Sequence, residues 1–173
     1  MNLRTAKVLA SIGLVLSILS TAKATLGLVG VILYLVGMYH IAAYYGKREM
    51  FNYALISTVG FTAAVIVIAF LVGIGAVLGG LAAGPAGIGA SLVVGLVLLY
   101  VAVLFMGKYK SDLMGILAPH SDEKVAGWAA KLYWYGAILT IILVGLLLLL
   151  LAEILEVVVL ATLRPLGAGA QTA

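Results

Sequence analysis

The chain has 173 residues, of which 65% are hydrophobic and only 9% charged, with a mean hydropathy of +1.29. A soluble domain needs roughly 25% charged residues to cover its surface, so the composition indicates an integral membrane protein with no room for a second, soluble domain. The net charge of +4 is thinly scattered, with Lys47-Arg48 the sole adjacent basic pair, which argues against nucleic acid as a partner; the lack of cysteine excludes disulfides and thiol chemistry.

Strand-like alternation is absent, so the apolar runs read as helices rather than as a β-barrel. Residues 1–24 have the outline of a signal peptide, with Arg4 and Lys7 before an apolar centre and Ala22-Lys23-Ala24 as a cleavage-like site. The segment is read instead as a short first helix over 6–20. A second apolar run covers 24–46, and after the polar GKREMFN, Asn52 is the expected cap of a third over 53–79. GGLAAGPAGIG forms a charge-free turn before a fourth run over 88–107. Lys108 to Lys124 is the one substantial polar segment, interrupted at Pro119, and Ser121, Asp122 and Glu123 mark a helix start near 122.

From 122 to 163 there is no polar break, and Glu153 and Glu156 sit inside the apolar run that ends it. One helix of that length would reach roughly 63 Å, about twice the hydrocarbon thickness of a bilayer. Either Leu132–Ala152 spans alone and both glutamates emerge at the far surface, giving five spans, or the chain reverses near Val144-Gly145. The reversal gives spans over 123–143 and 146–163, six in all. Charge favours six: with the N-terminus inside, Arg4, Lys7, Lys47, Arg48, Lys108, Lys110, Lys124 and Arg164 fall on the cytoplasmic side, and only Lys23 outside. Tyrosines and tryptophans gather toward the same side.

A hairpin at 144–145 sets Lys131 opposite Glu156 and Trp134 opposite Glu153. It predicts a buried Lys131–Glu156 pair, with Glu153 accepting from the Trp134 indole or the Tyr135 hydroxyl. An unpaired charge at mid-membrane costs ~2.5–3.5 kcal/mol, so pairing or protonation is required. The two acids, three apart, share a helical face, and they read either as a proton or cation relay or as a hairpin lock.

Gly27 and Gly30, with Gly75, Gly79 and Gly84, are small residues spaced for close helix packing. GIGAVLGG follows no strand and is no phosphate loop. His40 and His120 map to one side, where a bis-His haem site competes with an ordinary interfacial belt; the belt reading is preferred, so no metal or cofactor is expected. No catalytic constellation stands out, and the protein is expected not to be an enzyme. The scarcity of Asn and Gln points to a thermophilic source.

GAILTIILVGLLLLLLAEIL (136–155), with IGLVLSIL, LGLVGVILYLVGMYHIA and FNYALI earlier in the chain, resembles a family of small archaeal polytopic membrane proteins of unknown function. The resemblance implies an archaeal source and a helical fold, and it carries no catalytic residues. Glu153 and Glu156 depart from that family's apolar last run, so the resemblance assigns them no shared role. The expectation is an all-α integral membrane bundle, multi-pass in the cell membrane with a cytoplasmic N-terminus. It would be an accessory or scaffold subunit of a larger membrane complex, respiratory for example. The alternative is a small homo-oligomeric transporter or channel with Glu153 and Glu156 as relay. The expected partners are the lipid bilayer and either other membrane subunits or further copies of the chain.

Overall fold

The computed structural model describes residues 2–19 and 24–166, and among these it is helical throughout, without a strand. Lys23, the one basic residue assigned to the outer side, and most of the cleavage-like site lie outside the described residues. Six helices form three antiparallel hairpins: α1 (Leu3–Ile18) with α2 (Ala24–Tyr45), α3 (Arg48–Ala83) with α4 (Pro85–Leu117), and α5 (Glu123–Leu139) with α6 (Val144–Thr162). All but the 16-residue α1 are long and apolar enough to cross a membrane.

The first hairpin is held by backbone contact. A Cβ added at Gly13 would lie 2.2 Å from the Tyr34 amide nitrogen, and one at Gly30 would lie 2.6 Å from that of Ser17. Lipid gives helices no hydrophobic reason to associate, so close approach of this kind supplies the attraction.

The second hairpin is longer than the sequence suggested. α3 begins at Arg48, so Asn52 sits inside it instead of capping it, and a π-helical turn, Ile56–Gly60, interrupts it. The glycine-rich stretch is not an extended turn. A single residue, Gly84, reverses the chain at φ 61° and ψ −140°, a region open to glycine, and Pro85 opens α4. Beyond 107 the polar segment stays helical to Leu117. Lys110, Leu113, Met114 and Leu117 are buried at helical spacing, while Lys108 and Asp112 pair at 3.3 Å on the open side.

In the third hairpin Asp122 caps α5, accepting from the Lys124 and Val125 amides. The chain does reverse, which rules out one continuous helix to 163. The turn is Thr140–Leu143, earlier than Val144-Gly145, and Leu143 adopts the left-handed conformation at φ 62°. Gly145 permits this, because a Cβ there would lie 2.1 Å from the Thr140 nitrogen.

The Gly84 and Thr140–Leu143 turns and the adjoining ends of α1 and α2 lie toward one end of the molecule. At the other end Lys7 Nζ donates to Leu163 O (2.7 Å), Tyr45 OH to Arg164 O (2.5 Å) and the Arg164 amide to His120 O (2.7 Å). These bonds satisfy carbonyls just beyond the ends of α6 and α4. The buried core occupies this basic end and the middle of the bundle. The second hairpin runs past it. Tyr100 OH donates to Ile138 O (3.0 Å), which places Tyr100 level with the end of α5. The 15 residues from Tyr100 to Pro85 therefore project roughly 22 Å further.

Candidate functional site

Four helices, drawn from all three hairpins, meet at one buried carboxylate. Glu156 of α6 is fully buried, and its two oxygens lie 2.9 and 2.7 Å from Lys110 Nζ of α4. Tyr34 of α2 donates its hydroxyl proton to Glu156 Oε1 (2.6 Å), and Tyr133 of α5 donates to Oε2. Lys110 also donates to the Tyr34 oxygen (3.1 Å) and stands 4.6 Å from the centre of its ring.

Charge arithmetic explains why four groups are needed. Two lone ions in the membrane cost ~5–7 kcal/mol together, and contact attraction at an effective dielectric near 20 returns about 6. The pair alone roughly breaks even. Two tyrosine hydrogen bonds to the carboxylate, each worth about 1.5–3 kcal/mol, turn the balance favourable. The quartet is thus a network with every proton donor engaged.

The expected Lys131–Glu156 pair is not formed. Lys131 is exposed, with its ammonium 5.6 Å from the Trp128 ring centre, and Trp134 and Tyr135 are 39% and 56% exposed. The physical reason is the face of α5: Tyr133 is buried and reaches Glu156, while Lys131, two residues earlier, points ~200° round the helix to the exposed side. Lys110 was assigned to a solvated loop, and Tyr34 and Tyr133 were not singled out. The spacing of Lys110 with Leu113, Met114 and Leu117 was the available signal.

Glu153 is half-buried, one turn from Glu156 and apart from the quartet. It lines a cavity of about 230 Å³ between the three hairpins, together with Tyr34, Ser57, Thr62 and Lys110. The π-helical turn of α3 forms part of its wall. Such turns interrupt the hydrogen-bond ladder and recur at functional sites. Among the described residues no cation pairs with Glu153: the ion pairs are Lys108–Asp112 and Lys110–Glu156.

Of the glycines, Gly30 meets α1. Gly79 would place a Cβ 2.7 Å from Gly87 O and Gly75 would place one 3.1 Å from Ser91 Cβ, both within the second hairpin. Gly84 makes the turn, and Gly27 is half-buried on α2. His120 stacks on Tyr45 and His40 packs edge-on to Tyr39. No group of three or more His, Asp or Glu residues is placed to hold a metal among the described residues.

Comparison with known proteins finds similarity without an assigned activity. A family described as "Protein of unknown function (DUF996)" matches residues 26–154, which include Tyr34, Lys110, Tyr133 and Glu153 and stop two positions short of Glu156. The uncharacterized protein MJ1644 of the archaeon Methanocaldococcus jannaschii is 29% identical over 163 residues, covering 91% of each chain. No solved structure matches.

Proposed function

The chain belongs to the DUF996 family, and from that premise we propose that it is a non-enzymatic, multi-pass protein of the cell membrane that serves as an accessory or scaffold subunit of a larger membrane assembly. One observation carries this reading. No residue of Phe61–Ala83 is buried within the chain, although the stretch is apolar apart from Thr62 and its later part projects beyond the rest of the bundle with α4. Gly73 and Gly89 on the same hairpin have open space where a Cβ would stand, so another helix could approach its backbone closely. The quartet fits a scaffold as well, because its acid and base neutralise each other.

Orientation follows from charge. Arg4, Lys7, Lys47, Lys124 and Arg164 gather at the end opposite the Gly84 and Thr140–Leu143 turns, and that end is assigned to the cytoplasm, with the N-terminus inside. The test is gentle extraction from source membranes, native-gel separation and mass spectrometry. Stoichiometric co-migration with other membrane subunits is expected, and migration as the lone chain would overturn the reading.

A second reading, a small homo-oligomeric transporter or channel, has one observation in its favour: Glu153 lines the cavity between the three hairpins. A relay through both acids is disfavoured, because Lys110 and two tyrosines already engage Glu156. Proton flux into liposomes, compared between wild type and Glu153→Gln, separates this reading from the first.

A further inference from the structure

A cavity of about 590 Å³ lies where α2 gives way to α3, within the ~300–1,000 Å³ span of small-molecule sites. Its shape follows from two helix faces that meet there. Tyr39, Ala42, Ala43 and Gly46 recur at helical spacing along the end of α2, and Arg48, Phe51 and Asn52 do so along the start of α3. The two alanines and the glycine are too small to fill the angle between the helices. Gly46 makes the link at φ 67°, with open space where a Cβ would stand. Tyr39 and Phe51 bridge the helices edge-to-face, with ring centres 5.4 Å apart.

The lining is amphiphilic, and its one charge is positive. Arg48 is exposed, and the ion pairs among the described residues, Lys108–Asp112 and Lys110–Glu156, leave it without a carboxylate partner. Among the described residues no acidic side chain lines this cavity. Glu49 lies on the other side of the same turn, in a second cavity with Gly115 and Pro119 that Arg48 also borders. A guanidinium pairs with phosphate through two parallel hydrogen bonds, and the exposed Asn52 amide, one helical turn from Arg48, offers a further donor. An ammonium group would find no carboxylate to receive it. The cavity therefore suits an anion.

The surface that continues the cavity, away from the turn, gives that anion an apolar body. Val29, Ile32 and Val36 extend the Tyr39 face along α2, and Ile56 and Val59 extend the Asn52 face along α3; each is 41–55% exposed. Two apolar stripes thus lead from the cavity along the bundle, as acyl or alkyl chains lead from a headgroup. A free phosphate shares the anionic chemistry but makes no use of the stripes. We propose that this cavity holds the headgroup of an anionic lipid, its phosphate on Arg48 and Asn52 and its chains along α2 and α3. The site needs no partner subunit and is independent of the scaffold reading.

The test uses the full chain in a neutral detergent. Its thermal unfolding midpoint is followed as phosphatidylglycerol, phosphatidylcholine or inorganic phosphate is added at constant ionic strength. A saturable rise is expected with phosphatidylglycerol, about 3–6 °C at ten times the half-saturating amount, and a much smaller one with the other two. Arg48→Gln should raise the half-saturating amount of phosphatidylglycerol about tenfold. Lys124→Gln, which removes a charge at the same end but outside the cavity, should leave it unchanged. Ala43→Trp fills the cavity without altering charge and should weaken the response as Arg48→Gln does, which keeps the test decisive if Arg48→Gln fails to fold. Equal curves for the two lipids overturn the proposal. So does an equal loss in Arg48→Gln and Lys124→Gln, the mark of a diffuse attraction to the basic end. Inorganic phosphate acting as strongly as the lipid would assign the site to the free anion and overturn it too.

Discussion

The middle of the bundle and the projecting part of the second hairpin are built on opposite terms. Around Glu156, four polar side chains from three hairpins satisfy one another, and apolar residues such as Met38, Leu113 and Leu160 are fully buried beside them. Beyond Tyr100 the second hairpin has no charge, and its helices pack chiefly on each other. Both regions are strongly hydrophobic, so hydrophobicity does not tell them apart. In water an apolar residue would seek the core, but in lipid it can face outward without cost. Interior and exterior are therefore separated by where polar groups and small residues lie.

Removing one ion should break that contrast most severely. Glu156→Leu strands Lys110, and Lys110→Met strands Glu156; each should cost about 3–5 kcal/mol in reversible unfolding in detergent. The double variant should recover most of the loss, and a double-mutant cycle measures the coupling. Tyr133→Phe removes one hydrogen bond to the carboxylate and should cost about 1.5–3 kcal/mol by the same assay.

Glycine substitutions sharpen the comparison next. Gly13→Ala forces a methyl group into the backbone of α2 and should cost about 1–3 kcal/mol. Gly73→Ala, on the projecting hairpin, meets open space and should be neutral or stabilising by up to about 1 kcal/mol. If both glycines respond alike, the distinction between packed and unpacked hairpins is wrong. The smallest effect belongs to Lys131→Met. Its ammonium lies on the surface over Trp128, and a change within about 0.5 kcal/mol is expected. A loss as large as that of Lys110→Met would restore the abandoned pairing of Lys131 with Glu156.

How much could be read in advance varied with the kind of signal. Composition and unbroken apolar runs were enough for a helical membrane bundle, and the excessive length from 122 to 163 was enough for the last reversal. Its site was misjudged by a few residues because Thr140–Leu143 contains neither glycine nor proline, and Leu143 accepts a left-handed backbone instead. Counting across the turn sets which residues are level but not which face of α5 is inward, and Tyr133 lies on the buried face where Lys131 does not. Lys110 was hidden by its neighbours. Lys108, Asp112 and Ser111 make its surroundings look like a loop, although the apolar residues at 113, 114 and 117 continue a buried stripe. The partnership itself spans 46 positions and two turns, and no local pattern encodes a distance of that kind.

That 46-position separation also orders the birth of the protein. Synthesis delivers Tyr34 first, then Lys110 with the second hairpin, then Tyr133, and Glu156 only with the last helix. Until that helix is made, the second hairpin carries a lysine whose charge nothing in the chain neutralises, at ~2.5–3.5 kcal/mol. The final helix is therefore the keystone of assembly. A chain cut just before Glu156 would hold nearly all of its apolar residues and still fail, because its middle hairpin would have no carboxylate to settle against.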